Sequence, residues 1–338
     1  MTRRILVTGG AGYIGSHTCK ALARSGYEPV VFDDLSNGHR EAVRWGPLVV
    51  GDVRDSAAVS ACMRNHAVSA VIHFAGLIEV GRSVREPAVF WDHNLNGVAS
   101  VLGAMRVNGI ERIVFSSTAA VYGNPEQVPV PEHAPTRPMS PYGSSKLMTE
   151  IMLHDVASAH DMNYVVLRYF NVAGADPFGR VGLATVGATH LLKIAVEAAT
   201  GQRAKVDVFG TDYPTPDGSC IRDFIHVSDL AQAHRAALSY LRGGGTSATL
   251  NCGYGRGYSV LETIDAVRRV SGRNFAVSYG PRRPGDIMTM VADTRRIHSA
   301  LDWTPQYDNL EIIAAHALTW EEKLFRDRGG PPQQAESA

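Results

Sequence analysis

Residues 8–15, with the sequence TGGAGYIG, decide the fold of this chain. They follow the apolar run RILV, so that a predicted strand ends and a predicted helix begins at three glycines, Gly9, Gly12 and Gly15. Glycine lets the backbone approach a ligand closely, and the first N–H groups of a helix attract a phosphate. A single glycine turn can equally be ordinary turn chemistry, so the prediction of a phosphate site depends on what surrounds it.

An acidic residue at the end of the second predicted strand supports this prediction. Asp33, in the stretch VVFDDLSNG, follows the glycines by about twenty residues, which is the spacing of a dinucleotide site. A carboxylate there can bind both hydroxyl groups of an adenosine ribose and would repel a 2′-phosphate. The cofactor is therefore predicted to be NAD and not NADP. Asp52, after the third predicted strand, can contact the adenine, although an ordinary turn aspartate explains it equally well.

Short apolar runs alternate with helical patterns through the first half of the chain. Strands are predicted at 4–8, 30–33, 48–51, 70–75, 112–117 and 164–169. Helices are predicted between them, among others at 16–25 and 88–107. This alternation predicts an α/β fold with a doubly wound (Rossmann) parallel sheet that is covered by helices on both faces.

A change in composition marks the end of the larger predicted domain. Residues 171–182 are rich in Gly, Pro and Asp, and GTDYPTPDGS at 210–219 is a second turn-rich stretch. We predict an NAD-binding domain formed by residues 1–174, to which the chain returns at about 221–245. A disordered tail is predicted at 331–338. A smaller mixed α/β substrate-binding domain is predicted from 175–220 and 246–330, with a helix at 188–200.

The composition excludes several other classes of protein. The 338 residues include 33 Lys and Arg and 33 Asp and Glu without a basic block, so nucleic acid is not an expected partner. No apolar run approaches the ~20 residues of a membrane span, and the glycine turn comes too early for a signal peptide. The four cysteines are scattered and contain no C-x-x-C pair. We therefore expect reduced thiols, a cytoplasmic location and no metal site.

A second constellation lies in PYGSSK at 141–146, where Tyr142 and Lys146 are four residues apart and share one face of a helix. A surface Tyr–Lys pair is common, so its context matters. The buried strand in IVFSSTAAVYG ends in Ser116, Ser117 and Thr118. Because the carboxyl ends of parallel strands line the ligand crevice, we expect a hydroxyl, a tyrosine and a lysine to converge beside the nicotinamide.

These groups predict oxidation of a substrate hydroxyl. Free tyrosine has a pKa near 10, and lowering it by ~3 takes about 4 kcal/mol of differential stabilisation. A lysine ammonium and the positive nicotinamide ring can together supply this amount in a dry pocket. Tyr142 could then accept a proton from a substrate hydroxyl while the attached carbon loses a hydride.

Several motifs together resemble the extended short-chain dehydrogenase/reductase family. They are TGGAGYIG, SSTAAVYG, PYGSSK and LRYFNVAGA. With CIRDFIHVSDLA and PRRPGDI, the chain is similar to the nucleotide-sugar epimerases of this family from about Arg4 to Gln306. The resemblance implies reversible 4-epimerisation of a UDP-hexose, UDP-glucose or UDP-galactose, by transient oxidation at carbon 4 with tightly bound NAD. It also implies a homodimer, formed by the apolar helices predicted at 88–107 and 144–160.

The resemblance assigns site residues by their positions in these motifs. The implied catalytic residues are Tyr142, Lys146 and Thr118. The implied NAD contacts are Gly9, Gly12, Tyr13, Ile14, Gly15, Asp33, Asp34, Leu35, Ser36, Asn37, Asp52, Val53, Phe74, Ala75, Gly76, His93, Asn94, Ser116, Tyr142, Lys146, Tyr169 and Phe170. The implied substrate contacts are Thr118, Asn171, His190, Leu191, Phe209, Arg222, Arg283, Asp286 and Met290.

The implied substrate roles are distinct. Arg222, Arg283 and Asn171 hold the diphosphate, which suits guanidinium groups. Asp286 binds the uridine ribose and Phe209 lies beside the uracil. Met290 stands where narrow-specificity members have a tyrosine that gates the sugar pocket.

The sequence departs from the family pattern at a few positions and leaves alternatives open. Ile78 replaces a lysine near the cofactor, and two asparagine pairs read His93-Asn94 and Thr189-His190. A dehydratase needs acids after Thr118, where this chain has two alanines. The alternatives are an epimerase acting mainly on a UDP-N-acetylhexosamine or a UDP-pentose, a net NAD-dependent sugar-nucleotide dehydrogenase, and a nonenzymatic dinucleotide sensor.

Overall fold

The computed structural model describes residues 3–283 and 285–329, so the tail predicted at 331–338 lies outside the described residues. The strands are β1 (Arg4–Thr8), β2 (Glu28–Asp33), β3 (Leu48–Val50), β4 (Ala70–His73), β5 (Arg112–Thr118), β6 (Asn163–Tyr169), β7 (Asn171–Ala173), β8 (Lys205–Phe209), β9 (Ile221–His226), β10 (Ala248–Cys252), β11 (Gly257–Ser259), β12 (Ala276–Gly280) and β13 (Thr289–Met290). The α-helices are α1 (Tyr13–Arg24), α2 (Ser56–Asn65), α3 (Val80–Arg85), α4 (Pro87–Trp91), α5 (Gly97–Val107), α6 (Pro141–Ala159), α7 (Leu191–Ala199), α8 (Val227–Arg242), α9 (Val260–Ser271), α10 (Arg295–Ala300) and α11 (Leu310–Asp327).

The central sheet has seven parallel strands in the order β10-β6-β5-β4-β1-β2-β3. Its apolar runs are buried on both faces, as in β1, where Ile5, Leu6 and Val7 have no exposed surface. One face packs against α1 and α8, and the other packs against α2, α5 and α6. This arrangement confirms the predicted doubly wound sheet, and all six predicted strands are present with slightly different ends.

The helix predicted at 88–107 is interrupted. It consists of α4, a π-helical turn at Asp92–Asn96, and α5. The interruption lies where the buried Asn94 side chain bonds both backbone groups of Leu77 and the hydroxyl of Ser145. Because a wider turn accommodates a side chain drawn into the protein, the local period departs from 3.6 residues, and such turns are frequent at functional sites.

The remaining strands form two smaller sheets beside the carboxyl ends of the central strands. β9 lies between β11 and β13 and also pairs with β7, while β8 pairs with β12. Helices α7, α9 and α11 share an apolar core with these strands. Since β7 follows β6 after a single residue, the chain passes directly from the central sheet to the smaller one.

The chain returns to the central sheet at a different place from the one predicted. β9 (Ile221–His226) belongs to a smaller sheet, whereas α8 packs on α1 and β10 (Ala248–Cys252) pairs with β6. The predicted return at about 221–245 therefore began too early and stopped before β10. The apolar side chains of Leu250 and Cys252 are buried in the core beneath the central sheet, which holds this edge strand in place. The division into two domains otherwise stays a prediction.

Among the described residues, no helix has both the length and the hydropathy required to cross a bilayer.

Candidate active site

The glycine loop between β1 and α1 is shaped by close backbone packing. Gly9 has a φ of +69°, and a Cβ atom there would lie 2.7 Å from the backbone nitrogen of Ala75. A Cβ atom at Gly15 would lie 2.2 Å from the carbonyl oxygen of Gly9. Gly12 is the N-cap of α1 and provides no side-chain cap. The first N–H groups of α1 are therefore open to an anion at the positive end of the helix.

Asp33 ties the glycine loop to the end of β2. Its Oδ2 atom accepts a hydrogen bond from the N–H of Ala11, and its Oδ1 atom accepts one from the N–H of Leu35, both at 2.9 Å. Burial raises the pKa of the Asp33 carboxyl, and these two hydrogen bonds act to lower it. Each oxygen keeps a second lone pair, so the carboxylate can still accept hydrogen bonds from ribose hydroxyls.

The loops that follow β2 and β3 lie beyond Asp33. Asp34 accepts hydrogen bonds from the backbone and hydroxyl of Ser36, and Leu35 has a positive φ of 62°. Asp52 is engaged in an ion pair with Arg54, with 2.5 Å between Nη2 and Oδ2. Arg54 also contacts Asp92. This arginine, at the predicted adenine end of the site, was not among the residues predicted from the sequence. Its position two residues after Asp52 could have indicated it.

The loop after β4 is held against α6 and the π-helical turn. Gly76 leaves no room for a side chain, because a Cβ atom there would lie 2.8 Å from the Oδ1 atom of Asn94. The amide of Asn94 is occupied by Leu77 and Ser145, so its contribution to the site is to position this loop. Phe74 stacks against His234 of α8, with ring centres 4.7 Å apart.

Three of the predicted residues converge at the end of β5. The hydroxyl of Tyr142, on α6, interacts with the side chain of Thr118, which acts to lower the pKa of the phenol. Lys146 donates a hydrogen bond to the carbonyl oxygen of Ser116, 3.0 Å away. The Ser116 hydroxyl in turn donates to the hydroxyl oxygen of Tyr169, at 2.9 Å. The expected convergence of a hydroxyl, a tyrosine and a lysine is therefore present in the structure.

Burial dominates the electrostatics of this group. Burial raises the pKa of the Tyr142 hydroxyl, and its hydrogen bond with Thr118 acts in the opposite direction. Burial lowers the pKa of Lys146 to about 8, although the Glu150 carboxylate acts to raise it. The lowering of the Tyr142 pKa predicted for a phenol beside both Lys146 and an oxidised nicotinamide stays a prediction, because desolvation outweighs the effect of Thr118 in the protein alone. A further positive charge beside the phenol ring, such as an oxidised nicotinamide, is needed to reverse the direction.

Three residues predicted to bind the nucleotide lie together, Phe209 at the end of β8 and Arg283 and Asp286 in the loop between β12 and β13. Arg283 forms a bidentate ion pair with Asp286, at 2.9 and 3.1 Å. The guanidinium carbon of Arg283 lies 4.6 Å from the centre of the Phe209 ring. Since Asp286 orients one edge of the guanidinium and Phe209 supports its face, the cluster combines a cation, a carboxylate and an exposed aromatic ring.

The other predicted substrate residues lie on neighbouring strands. Arg222 of β9 is the register partner of Met290 on β13, and Asn171 of β7 pairs with β9 two positions further along. Paired residues of parallel strands and those two positions away share one face of a sheet. Met290 is buried with Phe170 in an apolar cluster. His190 is the N-cap of α7, which begins at Leu191, and it lines a pocket together with Tyr13.

The fold and this site define an NAD-dependent class of α/β enzyme, and comparison with known proteins identifies it. Residues 5–253 match the model of the NAD dependent epimerase/dehydratase family. The chain belongs to this family, which confirms the resemblance that its motifs predicted.

Three proteins to which this chain is similar are UDP-glucose 4-epimerases. The chain is 53% identical over 327 residues to the UDP-glucose 4-epimerase of Azospirillum brasilense, covering 96% of this chain and 94% of that protein. Its structure is similar to that of UDP-glucose 4-epimerase from Brucella ovis in complex with NAD, with a TM-score of 0.92, 44% identity, and coverage of 94% and 97% of the two chains. The UDP-glucose-4-epimerase of Stenotrophomonas maltophila, with bound NAD and formylated UDP-arabinopyranose, gives a TM-score of 0.94 at 40% identity, covering 96% and 99%.

Proposed function

We propose that this chain catalyses the reversible 4-epimerisation of a UDP-hexose, interconverting UDP-glucose and UDP-galactose with tightly bound NAD. The observation that carries the proposal is the group at the end of β5, where the buried Tyr142 interacts with Thr118 and Lys146 is held on the Ser116 carbonyl. Family membership and the relatives' activity support the same reaction. A positioned tyrosine can move the proton of a sugar hydroxyl, which the oxidation of that hydroxyl requires.

The glycine loop and its neighbours fit NAD. The uncapped start of α1 would hold the pyrophosphate, and the Asp33 carboxylate would bind the ribose hydroxyls of the adenosine. Tyr169, the last residue of β6, and Phe170 after it would hold the nicotinamide. When bound, NAD supplies the acceptor for the hydride of carbon 4 and the source from which that hydride is returned.

The protein groups manage the proton of the 4-hydroxyl. Tyr142 removes this proton as carbon 4 is oxidised and returns it as carbon 4 is reduced. Thr118, already bonded to the Tyr142 hydroxyl, holds the sugar hydroxyl in line for the transfer. The ammonium group of Lys146 stabilises the phenolate form of Tyr142. Tyr142 and Thr118 act in both directions of the reaction, which suits a reversible epimerisation.

The nucleotide and the sugar are held unequally. Arg222, Arg283 and Asn171 bind the diphosphate, Asp286 binds the uridine ribose, and Phe209 contacts the uracil. The sugar instead faces largely apolar side chains, Met290 and Phe170 among them, which provide few hydrogen bonds. The 4-keto sugar can therefore turn and present its other face while the nucleotide stays fixed. His190 and Leu191 close this side of the site at the start of α7.

We further propose that the chain acts as a homodimer in the cytoplasm. Met148 and Ile151 on α6 are 41% and 45% exposed, and Val107 at the end of α5 is 71% exposed. One face of each helix already packs on the central sheet, so an outer apolar stripe requires another partner. All four cysteines are buried free thiols, which suits a reducing compartment.

Incubation with UDP-galactose, without added NAD, tests the proposed function. We expect UDP-glucose as the product, with no accumulation of NADH, because the hydride returns to the sugar in each cycle. UDP-N-acetylgalactosamine serves as the comparison substrate. Stoichiometric NADH release would instead identify a net dehydrogenase, and the absence of any sugar product would refute enzymatic activity on UDP-hexoses.

A further inference from the structure

A buried ion pair that the proposed chemistry does not use lies beneath the catalytic group. Glu150 is on α6, four residues after Lys146 and eight after Tyr142, so the three side chains share one face of the helix. Arg168 is on β6, next to Tyr169. Glu150 and Arg168 are each only 7% exposed.

The geometry of the pair is specific. The Nε and Nη2 atoms of Arg168 lie 3.1 and 2.5 Å from the Oε2 atom of Glu150. The Ser117 hydroxyl donates to the Oε1 atom of Glu150 at 2.5 Å. Ser117 and Arg168 are register partners on β5 and β6, so the carboxylate bridges the two strands at one level. The Nη1 atom of Arg168 also donates to the Tyr122 hydroxyl and to the carbonyl oxygen of Glu132, at 3.0 and 3.1 Å.

Successive turns of α6 are thus docked onto consecutive residues at the end of β5. Lys146 bonds Ser116 and Glu150 bonds Ser117, while Tyr142 interacts with Thr118. Glu150 is additionally clamped by Arg168 from the neighbouring strand. A displacement of α6 along its axis would therefore break the ion pair together with the other two contacts.

We propose that Glu150 and Arg168 are positioning residues that fix α6 on β5 and thereby place Tyr142 and Lys146 for proton transfer. This inference rests on the proposed function of those two residues. A charge-assisted pair with several matched contacts specifies one geometry, whereas apolar side chains can slide past each other. Such precision matters because a misplacement of about 1 Å can cost about 100-fold in rate.

The charge of Glu150 has a second effect. Its carboxylate acts to raise the pKa of Lys146, against the lowering caused by burial. The other titratable or charged groups facing this region are His73 of β4, Tyr142 of α6, Tyr164, Arg168 and Tyr169 of β6, Tyr122, and Glu132. Removing the Glu150 charge leaves Arg168 uncompensated, so the Lys146 ammonium loses its proton at lower pH.

Glu150→Gln tests the proposal, because it keeps the side chain's size and one acceptor oxygen but removes its charge. With UDP-galactose, we expect kcat to fall by about 10- to 100-fold. We expect KM to change by less than about 2-fold, since no substrate contact is removed. The alkaline limb of the kcat profile should shift to lower pH, because Lys146 loses its proton earlier.

Two further variants separate positioning from stability. Glu321→Gln breaks a comparably buried ion pair with Lys193, which joins α11 to α7. It should lower thermal stability without changing kcat or the alkaline limb. The double variant Glu150→Met with Arg168→Met replaces the Glu150–Arg168 pair by apolar side chains. It should be more stable than Glu150→Gln, because it leaves no unpaired buried charge. It should not recover kcat, and it serves as the test if Glu150→Gln does not fold.

A titration without turnover completes the test. The ultraviolet absorbance of tyrosinate, taken as the difference from the matching Tyr142→Phe protein, measures the pKa of Tyr142 in the protein with its bound nucleotide. We expect Glu150→Gln to raise this pKa, because the Lys146 ammonium is no longer held in place beside Tyr142 to stabilise its phenolate. An unchanged titration together with wild-type kcat would overturn the proposal. A wild-type protein without epimerase activity would refute the proposed function instead, and the titration would still decide the role of Glu150.

Discussion

The Oδ2 atom of Asp33 accepts a hydrogen bond from the backbone N–H of Ala11, 2.9 Å away, so one carboxylate joins the end of β2 to the glycine loop. The second oxygen is bonded to the N–H of Leu35. Asp33 therefore has two functions in our account. It holds the phosphate-binding loop in shape, and it offers its free lone pairs to the adenosine ribose.

Cofactor identity follows from this carboxylate. Denaturation of the purified protein should release NAD or NADH and no NADP, because a 2′-phosphate beside Asp33 would be repelled. Chromatography of the released nucleotide makes the measurement. Asp33→Asn should retain less nucleotide, since an amide cannot accept hydrogen bonds at both positions. Recovery of NADP as the main nucleotide would refute this role of Asp33.

Loss of the Tyr142 hydroxyl should abolish most turnover. Tyr142→Phe keeps the buried ring and should bind NAD normally, while kcat for UDP-galactose falls by about 100- to 10,000-fold. The variant removes the proton-transferring oxygen and its bond to Thr118. Nucleotide content and far-ultraviolet circular dichroism provide the controls. Turnover near the wild-type rate in this variant would eliminate Tyr142 as the base.

Most of the central sheet could be predicted because its strands are continuous apolar runs between helical patterns. The convergence of Thr118, Tyr142 and Lys146 was also predictable, since it follows from strand ends and from a four-residue helical spacing. The interruption of the helix at 88–107 was not, because it depends on contacts of Asn94 with residues that are distant in sequence.

The remaining differences have similar causes. The ion pairs of Arg54 with Asp52 and with Asp92 bring together charges from two segments. Glu150 lies four residues after the PYGSSK motif and Arg168 lies within LRYFNVAGA, but only the folded structure shows that both meet at Ser117.

Met290 should control which sugars enter the site. Methionine is unbranched and fills a space without fixing its shape, so we expect UDP-glucose and UDP-galactose as the main pair, with weaker activity on their N-acetylated counterparts. Met290→Tyr should abolish the weaker activity and leave the main one nearly intact. Comparison of kcat/KM for the two substrate pairs makes the measurement. If the wild-type protein turns over no N-acetylhexosamine, Met290 is not an open gate; if that turnover dominates, the choice of main substrate is wrong.

Buried histidines should make the fold sensitive to acid. Burial lowers the pKa values of His17 and His234 to about 4 and that of His73 to about 3. The unfolded chain, with a histidine pKa near 6.5, then binds more protons than the folded one. The free energy of unfolding should therefore fall as the pH decreases from about 6.5 towards about 4.

His234→Phe tests this pH dependence, because phenylalanine keeps the ring contact with Phe74 and removes one titrating group. Between pH ~4 and ~6.5 the variant's slope of stability against pH should be smaller by about 1.4 kcal/mol per pH unit. Urea unfolding at several pH values provides the slopes for both proteins. Equal slopes would show that His234 does not contribute to acid sensitivity.

The most direct test of the proposed reaction follows the hydrogen on carbon 4. UDP-galactose carrying deuterium at this position is incubated with the purified protein in ordinary water, without added NAD, and the product is analysed by nuclear magnetic resonance and mass spectrometry. Our account predicts UDP-glucose that retains deuterium at carbon 4, because the same hydride leaves and returns within one site. Product with hydrogen from water at carbon 4, or a free keto sugar with released NADH, would contradict it.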